Sequence, residues 1–128
     1  MFSIKYPHHY MYYFLEFDRG TEPLKERQNS KTSSIMRKFK VYQEMYRSNL
    51  YKKHFGLESL VTLIVTINKE RMESMRKIAE ELGIGNYLVF AYVEEYGKPL
   101  VPPKPAPELM TRDWIRANGQ PFSLLTGK

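Results

Sequence analysis

Glu16 and Asp18 are the residues whose types and spacing best suit chemistry in this sequence. They close an aromatic and apolar run, residues 12–17, which predicts a strand buried on both faces. Side chains two residues apart in a strand point to the same face, so the two carboxylates would share one side of a sheet. Mg²⁺ and Mn²⁺ prefer oxygen ligands of this kind, and a bound metal ion activates water against a phosphodiester. Both residues are therefore predicted metal ligands and catalytic residues.

A second interpretation of the same pair requires no metal ion. Glu16 would form an ion pair with Arg19 or with a lysine, and Asp18 would close the turn before Gly20. Networks of ion pairs also produce carboxylates in unusual surroundings, so this structural role stays open beside the catalytic one.

The amino-acid composition limits the classes of protein to which the chain can belong. The 128 residues suit one domain with a substantial core, and 42% of them are hydrophobic, too many for a disordered chain. The formal net charge of +6 favours an anionic partner, most often nucleic acid. The absence of cysteine excludes disulfides, thiolate nucleophiles and cysteine-ligated metals, and is compatible with a cytoplasmic protein. No apolar run reaches the roughly 20 residues that span a bilayer, so no membrane association is predicted.

A basic set of side chains is the second candidate site. Most of the set falls on a predicted amphipathic helix, residues 35–53, whose apolar side carries Ile35, Phe39, Tyr42 and Tyr46. Cations on the opposite side would contact phosphates without recognising base sequence, although a solvated helix face has the same pattern. The residues predicted to bind nucleic acid are Arg19, Lys31, Arg37, Lys38, Lys40 and Arg47.

The predicted elements that position these residues alternate between strands and helices. Strands over residues 1–6 and 10–18 would form an antiparallel hairpin, with the long helix next. A strand over 59–67, a helix over 69–82 capped by Asn68, and a strand over 86–95 indicate a parallel crossover. The order predicts an α/β fold: a mixed sheet with flanking helices.

The C-terminal quarter has a different composition. Residues 1–97 are predicted to form the α/β domain, and residues 98–128 a proline-rich extended segment and tail packing on that domain. A short helix is expected to start near Thr111, with Trp114 packing back on the core. Residues 120–128 are predicted to be a tail.

The segment from Phe14 to Leu24 (FLEFDRGTEPL) resembles the signature of the bacterial replication-relaxation family, most specifically from Leu15 to Thr21. A weaker likeness extends to about Trp114. The resemblance implies a plasmid or mobile-element protein with a restriction-endonuclease-like core that lacks its first helix and strand. Such a core carries Glu-x-Lys or Asp-x-Lys after an earlier Asp, whereas here Asp18 stands at the Lys position and no Asp precedes it. An incomplete active site is therefore expected.

Two hypotheses of function follow. In the first, the chain is a DNA-associated protein involved in plasmid replication or DNA relaxation, and it binds the DNA backbone through the basic helix. Mg²⁺ or Mn²⁺ would be its cofactor only if it cuts DNA. In the second, it is a non-catalytic interaction module that assembles with a replication initiator, a relaxase or a second copy of itself, using the aromatic strand near a sheet edge.

Overall fold

The computed structural model describes residues 1–21, 23–24, 34–49, 52–53, 56, 59–99 and 106–128. Within these residues the chain forms one six-stranded mixed sheet, two α-helices and two short 3₁₀ helices (Glu94–Gly97 and Pro107–Met110), so the predicted α/β class is confirmed. The strands lie in the sheet in the order in which they occur in the sequence. The elements are β1 (Phe2–Lys5), β2 (Tyr10–Phe17), α1 (Ile35–Arg47), β3 (Leu60–Thr66), α2 (Lys69–Glu81), β4 (Leu88–Tyr92), β5 (Asp113–Arg116) and β6 (Pro121–Ser123).

The predicted N-terminal hairpin is confirmed. β1 pairs antiparallel with the first half of β2, from Phe2 opposite Tyr13 to Lys5 opposite Tyr10. The second half of β2 was predicted to be buried on both faces, and this is wrong, because Phe14, Leu15 and Phe17 are substantially exposed. The reason is that β1 ends its pairing at Tyr13, whereas β2 continues to Phe17.

The predicted parallel crossover is also confirmed. β3 pairs parallel with both β2 and β4, and all seven of its residues are buried, as its β-branched and apolar composition indicates. α2 connects β3 to β4 and begins at Asn68, whose side chain accepts a hydrogen bond from the backbone N–H of Arg71.

α1 is shorter than the predicted helix of residues 35–53. Ser34 caps its start and accepts a hydrogen bond from the Arg37 backbone N–H at 3.1 Å. The helix ends at Arg47, and Asn49 then adopts a left-handed conformation with φ of 57°. Asn tolerates this conformation better than most residues, and it commonly terminates helices there.

The helices cover one face of the sheet. Phe39 and Tyr46 of α1, and Met72 and Ile78 of α2, pack with Ile64 and other residues of the strands in one buried cluster. Because α1 buries residues 35, 39, 42 and 46, its rotation about its own axis is fixed. The remaining side chains of α1 must then point to the side or outward.

Among the described residues no α-helix covers the other face, whose buried cluster also contacts Tyr96 and Leu109 of two short 3₁₀ helices. Two predictions are wrong here. Trp114 lies in strand β5 rather than in a helix, and the predicted tail contains β6. Trp114 and Phe122 pack with Tyr13 in a second buried cluster, with the Tyr13 and Phe122 rings 6.3 Å apart. A flat sheet would hold β2 and β6 about 19 Å apart, four strand spacings, so this sheet curls strongly.

The curl brings the two ends of the sheet together. The Tyr6 hydroxyl, just after β1, donates to the Leu124 carbonyl at 2.7 Å and also hydrogen bonds to the Tyr13 hydroxyl at 2.7 Å. Burial, and then the hydrogen bond with Tyr6, raise the pKa of Tyr13 far above its usual value, so this phenol is neutral. Within the described residues, no helix combines the length and apolar character needed to span a membrane.

Candidate functional site

Asp18 lies where two parallel strands end and a helix begins. It follows β2 directly, and its backbone N–H still donates to the Val65 carbonyl of β3 at 2.8 Å. Thr66 is the last residue of β3, and Asn68 caps the helix that carries Arg71 in its first turn. The parallel pairing and the cap together bring Thr66 and Arg71 to the Asp18 carboxylate.

The Asp18 carboxylate accepts hydrogen bonds on both oxygens. Oδ2 accepts from Arg71 Nε at 2.5 Å and from Thr66 Oγ1 at 2.6 Å. Oδ1 accepts from Arg71 Nη2 at 3.0 Å and from the Gly20 backbone N–H at 3.3 Å. A carboxylate offers about four lone-pair positions, and all four are used here. The Arg71 contact is the two-pronged arrangement in which the guanidinium fork matches the carboxylate.

Burial and charge oppose each other at Asp18. Its side chain is 7% exposed and that of Arg71 is 14% exposed, so the pair is largely withdrawn from water. Burial acts to raise the pKa of Asp18, but the hydrogen bonds from Arg71 and Thr66 and the charge of Arg71 outweigh it and hold the pKa below its usual 3.8. Asp18 is consequently ionised throughout the neutral range, where it neutralises Arg71.

Because the pKa of Asp18 is lowered in the folded state, the free energy of unfolding depends on pH in the acidic range. Above the unfolded-state value of 3.8 both states are ionised and the contribution of Asp18 is complete; it is lost as the pH falls through the lower folded-state pKa. We expect the difference in unfolding free energy between wild type and Asp18→Asn to shrink from about pH 5 downward. Urea unfolding at pH 7, 5, 4 and 3 measures it. A difference that stays constant over this range would contradict the assignment.

Glu16 faces the same side of the sheet as Asp18, as the alternation in β2 predicts, but α1 rather than α2 provides its partner. Lys38 Nζ lies 3.6 Å from Glu16 Oε2, and both side chains are between a quarter and a third exposed. The pair borders an open groove of about 390 Å³ between β2 and α1, lined by Phe14, Glu16, Arg37, Lys38, Val41 and Tyr42. An ion pair this long and this exposed contributes little to stability.

The fit of this pair to a divalent metal ion is poor. Asp18 would have to release Arg71 and Thr66 before an oxygen became available, leaving a largely buried cation unpaired. Among the described residues, no group of three or more His, Cys, Asp or Glu side chains is placed to hold a metal ion. The role of Glu16 and Asp18 as metal ligands and catalytic residues stays a prediction that this geometry does not favour.

The basic residues separate into three groups in the structure. Arg37, Lys40 and Arg47 are exposed on the side of α1 that faces away from the sheet. Lys38 is partly buried beside Glu16, and Arg19 is exposed in the turn after β2. Lys31 lies outside the described residues. The structure therefore brings three of the six predicted nucleic-acid contacts onto one helix surface, where Glu44 is the one acidic residue of α1.

Two functional features were missed by the sequence interpretation. Arg71, the partner of Asp18, is 53 residues away from it, and no local pattern indicated the pair. The other is the exposure of the side chains in the second half of β2, which were predicted to be buried although the strand was expected near a sheet edge. The length of β2 relative to β1 was the available signal. No family model, no curated protein and no solved structure matches this chain.

Proposed function

We propose that this chain is a DNA-associated protein that binds the phosphate backbone through the outward surface of α1, without cutting DNA. The observation that supports it is the exposure of Arg37, Lys40 and Arg47 along one helix whose opposite side is locked into the core. The net charge of +6 acts in the same direction, since it raises the local concentration of polyanions around the protein.

The spacing of these cations suits a duplex. At 1.5 Å per residue, Arg37 and Arg47 are separated by about 15 Å along the helix axis, roughly four base-pair steps of 3.4 Å. Such contacts fix the position of a protein on DNA and carry no sequence information of their own. Binding of this kind is expected to be sequence-independent and strongly dependent on salt.

The finer assignments belong to the same proposal. A role in plasmid replication or DNA relaxation, on a mobile genetic element, rests on the resemblance of Leu15 to Thr21 to the replication-relaxation family, as does the restriction-endonuclease-like description of the core. The absence of cleavage is supported by Asp18, whose oxygens are all engaged by Arg71, Thr66 and Gly20.

Binding of a 20-base-pair duplex, followed by fluorescence anisotropy over a series of salt concentrations, tests the proposal. We expect the slope of log K against log salt to weaken by about 0.9 for each phosphate contact removed. The triple variant Arg37→Gln, Lys40→Gln, Arg47→Gln should thus lose almost three units of slope and roughly 100-fold in affinity at low salt.

A matched triple variant controls for net charge. Lys69, Lys77 and Lys128 are exposed outside α1, and their replacement by Gln removes the same three charges. We expect this variant to lose less than threefold in affinity, because the contacts on α1 remain. Equal losses in the two triple variants would mean that overall charge, not α1, attracts DNA. Nicking of supercoiled plasmid by the wild type with Mg²⁺, abolished in Glu16→Gln, would contradict binding without cleavage.

The second candidate function is a non-catalytic protein interaction module. The observation that favours it is the exposure of Phe14, Leu15 and Phe17 along an edge of the sheet. In this hypothesis the partner is a replication initiator, a relaxase or a second copy of the chain. It predicts an assembly whose stability persists at salt concentrations that release DNA.

A further inference from the structure

A small pocket of about 200 Å³ lies between the C-terminal ends of α1 and α2. Its walls include Gln43 and Arg47 of α1, Leu82 and Gly83 just after α2, and Tyr87 just before β4. Sites for drug-sized ligands typically measure about 300–1,000 Å³, so this smaller pocket suits a group the size of one ring. None of the described residues that line it is acidic.

Tyr87 forms an aromatic platform at this pocket. Its ring stacks on that of Tyr46, with the ring centroids 4.2 Å apart and the ring planes 9° from parallel. Tyr46 is buried and its hydroxyl hydrogen bonds to Thr62 Oγ1 at 2.8 Å, so the inner ring is fixed in the core. Tyr87 is 37% exposed and is the outer ring of the stack. A third ring stacked on Tyr87 would therefore displace no core residue.

The backbone and amide groups around the pocket act mainly as hydrogen-bond acceptors. α2 ends here, and the last carbonyls of a helix have no partner within the helix. The Leu82 carbonyl accepts from Gln43 Nε2 at 2.7 Å, which fixes the amide and leaves its oxygen as an acceptor. The Gly83 N–H already donates to the Glu80 carbonyl at 3.1 Å. Because a helix C-terminus carries partial negative charge, neutral groups with N–H donors suit this rim better than phosphates do.

Arg47 connects this pocket to the cationic surface of α1. It lines the pocket and is exposed on the helix that also presents Arg37 and Lys40. Lys40 and Arg47 are separated by about two helical turns and so lie on the same side of α1. A DNA strand whose phosphates lie on these cations would pass the mouth of the pocket at Arg47.

We propose that this pocket binds an unpaired base of a DNA strand that lies on α1, with the base stacked on Tyr87. The inference rests on the proposed function, since phosphates on α1 bring the base to the pocket. Every base has a flat face for stacking, and adenine, cytosine and guanine carry amino groups that suit the Gln43 amide oxygen and the carbonyls after α2. Bases within a duplex are paired and stacked and cannot enter. The chain is therefore expected to prefer single-stranded DNA, or unpaired sites in a duplex, to intact duplex.

Fluorescence anisotropy with a strand of about twelve deoxyadenosines, compared with the 20-base-pair duplex, tests the pocket. Tyr87→Leu should lose about tenfold in affinity for the single strand, the typical effect of removing one base–aromatic stack, and less than about twofold for the duplex. Its slope of log K against log salt should stay that of wild type, because stacking releases no counterions. Tyr87→Phe keeps the ring and should bind the strand within about twofold of wild type.

Two controls separate the base from other effects. Phe17→Leu changes an aromatic residue that is 54% exposed at the opposite end of the parallel strands, and it should bind the strand as wild type does. A strand of the same length with abasic sites keeps the phosphates and should bind Tyr87→Leu and wild type equally. Equal losses in Tyr87→Leu and Phe17→Leu, or equal losses of Tyr87→Leu with the intact and abasic strands, would overturn the proposal. An unchanged affinity of Tyr87→Leu for the intact strand would overturn it as well.

NMR on the wild-type chain provides a second measurement, which serves if Tyr87→Leu fails to fold. Deoxyadenosine, which carries no phosphate, should at about 10 mM shift the signals of the Tyr87 ring and the Gly83 amide and leave those of Phe17 unchanged. Such shifts would support the base site even if the α1 variants left duplex binding unchanged, so the two proposals can fail separately. Equal shifts with N-acetyltyrosine amide would overturn the base in favour of an aromatic side chain of a partner protein. No shift at Tyr87 with deoxyadenosine or with the strand would overturn the site.

Discussion

Replacement of Asp18 by alanine is expected to lower the free energy of unfolding by about 3 kcal/mol, the typical cost of removing one partner from a buried ion pair. The change leaves the Arg71 guanidinium, 14% exposed, without its two hydrogen bonds to the carboxylate. It also removes the acceptor of the Thr66 hydroxyl and of the Gly20 backbone N–H. We expect the resulting decrease in the free energy of unfolding to exceed that caused by any surface substitution in the chain. Urea unfolding at pH 7, monitored by circular dichroism, measures it.

Two variants separate the ion pair from other effects. Glu16→Ala removes a carboxylate from the same face of the same strand, but its partner lies 3.6 Å away and is partly solvated, so a loss below about 1 kcal/mol is expected. In an Arg71→Met background, Asp18→Ala should lower the free energy of unfolding by at least about 1 kcal/mol less than it does in wild type. The reason is that no buried guanidinium is then left without its carboxylate partner. A cost for Asp18→Ala below that of Glu16→Ala would refute the structural role.

The second large effect is expected at Trp114. Replacement by alanine should destabilise the chain by about 3–5 kcal/mol, the usual range for large aromatic residues in a core. Trp114 is 1% exposed and packs with Phe122 and Tyr13 on the face of the sheet opposite α1 and α2. Its indole N–H also donates to the Leu109 carbonyl at 2.8 Å. Leu109 belongs to a short 3₁₀ helix, Pro107–Met110, and no α-helix among the described residues lies on this face to fill the space.

Thermal and urea unfolding of Trp114→Ala and Trp114→Phe measure this contribution. Trp114→Phe keeps most of the apolar area and loses the N–H donor, so a cost of roughly half that of alanine is expected. Residues 113–123 form strands of the same sheet, so unfolding should remain a single transition in both variants. Two separate transitions, or a loss below about 1 kcal/mol for alanine, would show that the C-terminal strands contribute little to the core.

The two candidate functions, DNA binding and protein interaction, place two activities on neighbouring surfaces. Arg37 belongs to both, since it lies on the outward side of α1 and also lines the groove beside β2. Lys40 and Arg47 belong to the DNA surface alone, and Leu15 and Phe17 to the strand edge alone. Variants of Lys40 and Arg47 therefore test DNA binding alone, and variants of Leu15 and Phe17 test protein interaction alone. A negative result for one activity does not contradict the other.

Local patterns in the sequence determined the elements of this fold well. The strand pattern at 59–67, the cap Asn68 and the apolar spacing of α1 each predicted an element that the structure contains. These signals work because hydrogen bonding within a turn and burial of one side depend on residues close in sequence. The strand–helix–strand order likewise predicted the parallel pairing of β3 and β4, since such crossovers follow a consistent topology.

What only the tertiary structure decided involves residues far apart in the chain. The carboxylates Glu16 and Asp18 were predicted to share one face, and they do, but the sequence could not assign Lys38 to one and Arg71 to the other. Those pairings depend on which helix lies above which part of β2. The curl of the sheet, which brings Tyr6 to Leu124, likewise depends on packing across the whole sheet. The same is true of the strand pairing that includes Trp114. The secondary-structure propensity of a few neighbouring residues contains no information about such contacts, and tertiary packing overrides it.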